Sequence, residues 1–139
     1  MNWVYKIQEA IDYIEASLLE EITIDAVGKA INYAPSSFHN LFSAITGYSI
    51  GEYIRFRRLS CAADELEEGE LTVTEIAFKY GYETVEAFSK AFKRLFSCSP
   101  SQYKASSNYH KFHPIKIDIR LWGGFSAISP AGFLVSFSL

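Results

Sequence analysis

The spacing of hydrophobic residues predicts helices through the first 105 residues of the chain. Near the N-terminus, apolar side chains recur every three or four positions, which places them on one buried stripe of a helix. They are Val4, Ile7, Ile11, Ile14 and Leu18. From Ile50 to about Glu68 there is no glycine or proline after Gly51, so this stretch predicts one long linking helix. Its expected inward positions are Ile54, Leu59, Ala62, Ala63 and Leu66. In all, six helical segments are expected in this region.

Capping residues mark three of the expected helix starts. In a capping box, the residue before the helix and the third helical residue each accept a hydrogen bond from the other's backbone N–H group. Three pairs have this spacing, namely Ser49 with Glu52, Thr72 with Glu75, and Ser99 with Gln102. Pro100 also stands at the favoured first helical position.

The helical region contains an internal repeat. Ile22–Ile24 and Tyr33 have counterparts 49 positions later, whereas the residues from Phe38 to Tyr53 have counterparts 50 positions later. The extra residue falls in a turn, where an insertion is best tolerated. At that turn the first copy has Asn32 and the second has Gly81, two residue types that tolerate positive φ. Each copy therefore predicts a helix-turn-helix.

The second copy carries the most specific motif. It consists of VTEIAFKYGY at Val73–Tyr82, AFSKAFKRLF at Ala87–Phe96 and SPSQY at Ser99–Tyr103. With YIRFRRL at Tyr53–Leu59, these segments resemble the DNA-binding domain of the AraC/XylS family of bacterial transcription regulators. The resemblance extends from about Ile7 to Tyr103. It implies an all-α fold in which a long helix joins two helix-turn-helix subdomains.

The resemblance also implies how such a chain would contact DNA. The second helix of each helix-turn-helix, the recognition helix, is expected to enter one of two successive major-groove segments of the duplex. A linking helix of about 18 residues spans roughly 27 Å, and the widths of the helices bring this close to the ~34 Å repeat of the groove. One chain could therefore bind DNA as a monomer, because it would supply the two recognition helices that a dimer otherwise provides.

In the first copy the expected recognition helix runs from about Pro35 to Thr46. Its expected buried stripe consists of Phe38, Leu41, Phe42 and Ile45. The family typically contacts DNA at the positions of Ser36, Ser37, His39 and Asn40. Asparagine can pair with adenine, serine can bind base edges or phosphate, and neutral histidine can donate or accept. The alternative is that these side chains are only exposed to solvent.

In the second copy the expected recognition helix runs from about Thr84 to Phe96. Its expected core residues are Phe88, Ala91, Phe92 and Leu95, and its expected DNA-binding residues are Glu86, Ser89, Lys90 and Lys93. Lys90 could reach guanine or phosphate, and Lys93 is better placed for phosphate. Glu86 departs from the neutral or basic residues that the family has there. It would accept from cytosine, repel phosphate, or remain a solvated charge.

Arg55, Arg57 and Arg58 form the densest basic cluster of the chain. The resemblance favours a structural role, in which these arginines pair with acids of the same domain, over phosphate contact. The recurrent phenylalanines are expected in the core rather than on a base-stacking surface.

The character of the sequence changes after Ala105. From Pro114 to Leu121, apolar and charged residues alternate, which predicts a half-buried β-strand. Some family members carry an effector-binding α+β domain after the DNA-binding domain, and this segment resembles its first strand. We therefore expect a DNA-binding domain at residues 1–105. Residues 106–139 would form a linker with the start of a truncated effector-binding domain, or a disordered tail. The apolar segments of the tail could also pair between chains.

Composition excludes several classes of protein. No apolar stretch approaches the ~20 residues of a membrane-spanning helix, and no secretory signal is visible at the N-terminus, so a cytoplasmic location is expected. The two cysteines, Cys61 and Cys98, are far apart and lack metal-ligand spacing. We expect reduced thiols, no metal, no cofactor and no enzymatic activity.

The net charge of −3 argues mildly against nucleic acid, because phosphate neutralisation needs cations. The distribution of charge matters more than its sum, since Ala87–Ser101 carries Lys90, Lys93 and Arg94 and contains no acid. The resemblance to the AraC/XylS family implies the first hypothesis, a sequence-specific DNA-binding transcriptional activator that binds double-stranded DNA and RNA polymerase. The alternative is a protein-interaction or anti-regulator module, derived from a helix-turn-helix domain, that does not bind DNA.

Overall fold

A computed structural model describes residues 2–105, 114, 116–119, 124–128 and 134–138. In these residues seven helices precede three strands. The helices are α1 (Asn2–Ala16), α2 (Ile24–Ile31), α3 (Pro35–Thr46), α4 (Ile50–Glu68), α5 (Val73–Lys79), α6 (Val85–Phe96) and α7 (Pro100–Ala105). The strands are β1 (Lys116–Ile119), β2 (Gly124–Ile128) and β3 (Leu134–Ser138). The expected number of six helices was wrong, since there are seven in these residues, whereas the helix start expected at Ser99 is confirmed by α7.

Local chemistry sets the helix boundaries. All three predicted capping boxes form, with reciprocal backbone and side-chain hydrogen bonds of 2.9–3.2 Å. The helices α3 and α4 have the predicted bounds. The helix α6 begins one residue later than predicted, since Thr84 is its N-cap and accepts a hydrogen bond from the Ala87 N–H group.

The turn between the two helices of each helix-turn-helix has the same geometry in both copies. Asn32 has φ 58° and Gly81 has φ 86°, which confirms that both positions need a residue tolerant of the left-handed region. The backbone N–H group of the following tyrosine then donates to a carbonyl five residues earlier. This bond joins Tyr33 to Gly28 at 2.9 Å and Tyr82 to Ala77 at 3.0 Å.

The described helices belong to two compact units. The first unit comprises Met1–Ile54 and His113–Leu139, and the second comprises Arg55–Phe112. The helix α4 therefore contributes its first turn to one unit and the rest of its length to the other. The expected domain boundary near residue 105 stays a prediction.

Burial extends the internal repeat to the helix that precedes each helix-turn-helix. Four buried residues of α1 have buried counterparts 52 positions later in α4. The pairs are Ile7 with Leu59, Ala10 with Ala62, Ile11 with Ala63, and Ile14 with Leu66. Each unit therefore contains an opening helix, a helix-turn-helix and the start of a closing helix.

The three strands form one antiparallel sheet in the order β1-β2-β3. Ile119 of β1 lies opposite Phe125 of β2, and Ile128 of β2 lies opposite Leu134 of β3. The strand β1 lies inside the segment predicted from alternation, whereas β2 and β3 were not predicted. No helix in the described part of the chain is long and apolar enough to span a membrane.

Two alanine substitutions should separate backbone strain from helix propensity. An added Cβ would meet nothing within 4 Å at either Gly81 or Gly51, but only Gly81 has a positive φ. We expect Gly81→Ala to lower the free energy of unfolding by about 1 kcal/mol. Gly51→Ala, inside α4, should raise it by up to about 1 kcal/mol. Denaturant unfolding measures both, and changes of the same sign would contradict this account of the turn.

Candidate nucleic-acid interface

An aromatic cluster holds the recognition helix α3 in the first unit. Phe38 and Phe42 are fully buried with ring centroids 5.8 Å apart, and the Tyr53 ring stands edge-on to Phe42 at 5.6 Å. The Tyr53 hydroxyl lies 3.4 Å from Glu15 Oε2 on α1, to which it donates. One buried tyrosine therefore links the recognition helix to the opening helix.

The second unit repeats this arrangement around α6. Phe88 and Phe92 are fully buried with centroids 5.7 Å apart, and the Tyr103 ring stands edge-on to Phe92 at 5.4 Å. The Tyr103 hydroxyl donates to Glu67 Oε1 at 3.0 Å. Burial of these phenylalanines confirms the prediction that they form core rather than a base-stacking surface.

The outward face of α3 is polar and uncharged. Ser36, Ser37 and Asn40 are exposed, and their side chains have no hydrogen-bond partner within the described residues. His39 differs from its expected outward position, because it is half-buried and its Nδ1 is buried without a partner in the described part of the chain. It follows the fully buried Phe38 and lies at the border of the buried stripe.

The outward face of α6 carries charge. Glu86, Lys90 and Lys93 are exposed at the spacing of one helix face and form no ion pair within the described residues. Ser89 is half-buried, like His39, its counterpart 50 positions earlier. Sequence reasoning did not select Arg94, which is also exposed and unpaired among the described residues. In the sequence, Arg94 could have been found as a third candidate cation, because it lies with Lys90 and Lys93 in a segment that contains no acid.

The predicted buried stripes were partly wrong at their edges. Leu41, Ile45, Ala91 and Leu95 are half-buried rather than buried. The stripe of fully buried residues on each recognition helix is narrower than predicted and centres on the phenylalanines of that helix. In the second helix Phe96 is also buried, with 5% of its surface exposed.

The two recognition helices also start differently. Thr84 caps α6, and Glu86 adds a carboxylate to its first turn. By contrast, α3 starts at Pro35 after Ala34, which provides no side-chain cap, and its first turn has no acid. The α3 face therefore offers neutral donors and acceptors, whereas the α6 face offers both signs of charge.

Comparison with known proteins identifies the family to which this pair of helix-turn-helix units belongs. Residues 27–106, more than half of the chain, match the family described as a helix-turn-helix domain. Over 98 residues the chain is 37% identical to the regulatory protein SoxS of Salmonella typhimurium, a match that covers 70% of this chain and 92% of SoxS. The chain belongs to the AraC/XylS family.

Two further known proteins are similar to this chain, one in sequence and one in fold. The chain is 36% identical over 100 residues to the transcriptional activator AarP of Providencia stuartii, covering 72% of this chain and 74% of AarP. The DNA-binding domain of the transcriptional factor AdpA, solved in complex with a target DNA, superposes with a TM-score of 0.65. That match covers 71% of this chain and 89% of the AdpA chain, and at 22% identity it shows a shared fold.

The AraC/XylS linking helix α4 buries part of its arginine cluster. Arg57 is 9% exposed, and its guanidinium Nη2 lies 3.8 Å from the Cys61 thiol. The Arg55 guanidinium lies 5.3 Å from the Phe56 ring. Burial lowers the pKa of Arg58 and raises the pKa of Tyr82. These contacts favour a structural role for the cluster, and pairing with acids stays a prediction.

Cys61 is half-buried, Cys98 is buried, and both are free thiols. The described residues contain no group of three or more His, Cys, Asp or Glu side chains that could hold a metal ion.

Proposed function

We propose that this protein is a sequence-specific DNA-binding transcriptional activator that inserts α3 and α6 into the major groove of duplex DNA. The observation that carries the proposal is the repeated geometry. In each unit a buried Phe-Phe-Tyr cluster fixes a helix whose outward polar side chains have no partner within the described residues. Membership of the AraC/XylS family supports it, as do relatives named as an activator and a regulatory protein.

The two recognition helices would make different contacts with the duplex. On α3, Ser36, Ser37 and Asn40 would contact base edges or phosphates, together with the accessible part of His39. On α6, Lys90 and Lys93 would bind phosphate or guanine, with Ser89 beside them. Base contacts determine sequence preference, while phosphate contacts supply affinity that depends on salt.

An activator of this kind would act in the cytoplasm and contact RNA polymerase. The second candidate function is a protein-interaction module without DNA affinity, which the net charge of −3 favours. The two candidates differ in one measurable property. Only the first requires DNA binding that weakens with salt.

A mobility-shift titration of the purified chain on genomic fragments distinguishes them. We expect selective binding that weakens roughly 10- to 40-fold between about 50 and 200 mM salt, because two or three phosphates are neutralised. Absence of a shift at low salt would favour the protein-interaction module. Binding that is independent of salt would contradict the proposed use of the α6 lysines.

Asn40→Ala and Lys93→Ala should have different effects on a selected duplex. Loss of the Asn40 amide should relax the preference at one base position, since Asn can pair bidentately with adenine. Loss of the Lys93 ammonium should weaken all sequences alike and reduce the salt slope by about 1. Binding-site selection with salt titration measures both, with Lys104→Ala on α7 as a matched lysine control. Equal, sequence-independent losses from Asn40→Ala and Lys93→Ala would show that α3 does not read bases.

Glu86→Gln tests how α6 faces the duplex. If the carboxylate lies near phosphate, its neutralisation should tighten binding to every sequence. If it accepts from a cytosine amino group, the change should relax one base preference by part of the ~1–3 kcal/mol of a good contact. We expect tighter binding with an unchanged selected sequence. No change in either property would contradict the orientation proposed for α6.

A further inference from the structure

A concavity opens beside the turn of the first helix-turn-helix. It has a volume of about 440 Å³ and is lined by Asp25, Gly28, Lys29, Asn32, Tyr33 and Ala34. Lys29 stands in the last turn of α2, and Ala34 directly precedes α3. The concavity therefore adjoins the end of α3 where Ser36 and Ser37 are exposed.

Lys29 is the one cation of residues 2–54 that has no partner in the described structure. This range contains two lysines, Lys6 and Lys29, and no arginine. The Lys6 ammonium donates to the Ile31 carbonyl and lies 3.7 Å from Glu9 Oε2. The Lys29 side chain is exposed and makes no hydrogen bond or ion pair with any described residue, including Asp25 one turn earlier.

The second unit has the opposite distribution of charge. The counterpart of Lys29, 49 positions later, is Phe78, which is 55% exposed and cannot bind an anion. The neighbouring Lys79 is paired with Glu65. The unpaired cations of that helix-turn-helix instead lie on α6, whereas α3 has no lysine or arginine. Each unit thus has unpaired cations on only one of its two helices.

We infer that Lys29, with the Asn32 amide beside it, binds a phosphodiester group of duplex DNA and is the electrostatic anchor of the first unit. The inference rests on the proposed DNA-binding function. A neutral recognition helix gains little from the backbone charge of DNA, so an anchor outside α3 is needed to position it. An ammonium on a flexible stem can bind phosphate as a point charge without reading sequence.

The test compares the wild-type chain, Lys29→Gln and Lys29→Arg on a duplex that the wild-type chain has selected from a random library. Loss of one phosphate contact should reduce the slope of log affinity against log salt by about 0.9. The advantage of the wild type over Lys29→Gln should therefore shrink three- to fourfold between about 50 and 200 mM salt. Lys29→Arg should keep the wild-type slope, and Asp25→Asn should tighten binding by removing the nearby negative charge.

Lys104→Gln provides the matched control, because Lys104 is an exposed lysine on α7 that does not line the concavity. An unchanged slope for Lys29→Gln, or an equal loss for Lys104→Gln, would overturn the inference. A changed selected sequence for Lys29→Gln would also overturn it, by showing base rather than phosphate contact. If the wild type selects no duplex, the proposed function fails instead. Thermal unfolding of each variant confirms that the compared chains are folded.

Discussion

A buried tyrosine in each unit is the contact on which the presentation of the recognition helix depends. Tyr53 packs edge-on against Phe42 and donates to Glu15, and Tyr103 makes the same two contacts with Phe92 and Glu67. A buried phenol is stable only where its hydroxyl has an acceptor. The carboxylate on the opening helix therefore fixes the ring, and the ring fixes the recognition helix. The polar face that would meet DNA is set by contacts on the opposite side of the helix.

The burial pattern of the helix α4 shows that it contributes residues to two packed cores. At about 100° per residue, Ile50, Tyr53, Ile54 and Arg57 share one face of α4, and all are buried. Leu59, Ala62, Ala63 and Leu66 are buried on the opposite face. The expected inward positions combined Ile54 from one of these faces with Leu59 from the other. A helix that closes one core and opens the next needs two buried faces.

Local chemistry made the helix starts and turns predictable, since a capping box or a positive φ depends on a few neighbouring residues. The relation between α1 and α4 was missed because Ile11 and Ala63 differ in size and only their burial is shared. The partial burial of His39 depends on the width of the packed stripe, which tertiary contacts determine. The strands β2 and β3 contain no charged residue, so they lack the alternation of apolar and charged residues that revealed β1. Lys29 was overlooked because its chemistry is visible only once Lys6 is seen to be paired.

The acidic net charge is compatible with DNA binding because many of the acids have structural roles. Glu52 and Glu75 complete capping boxes, and Glu15 and Glu67 accept from the core tyrosines. Glu65 is paired with Lys79. Such groups contribute to the sum of charges, yet they are committed to helix ends and packed cores. Affinity for a phosphate backbone depends instead on the cations that remain unpaired. In the described helices these include Lys29 in the first unit and Lys90, Lys93 and Arg94 in the second, each on a helix of the helix-turn-helix pair.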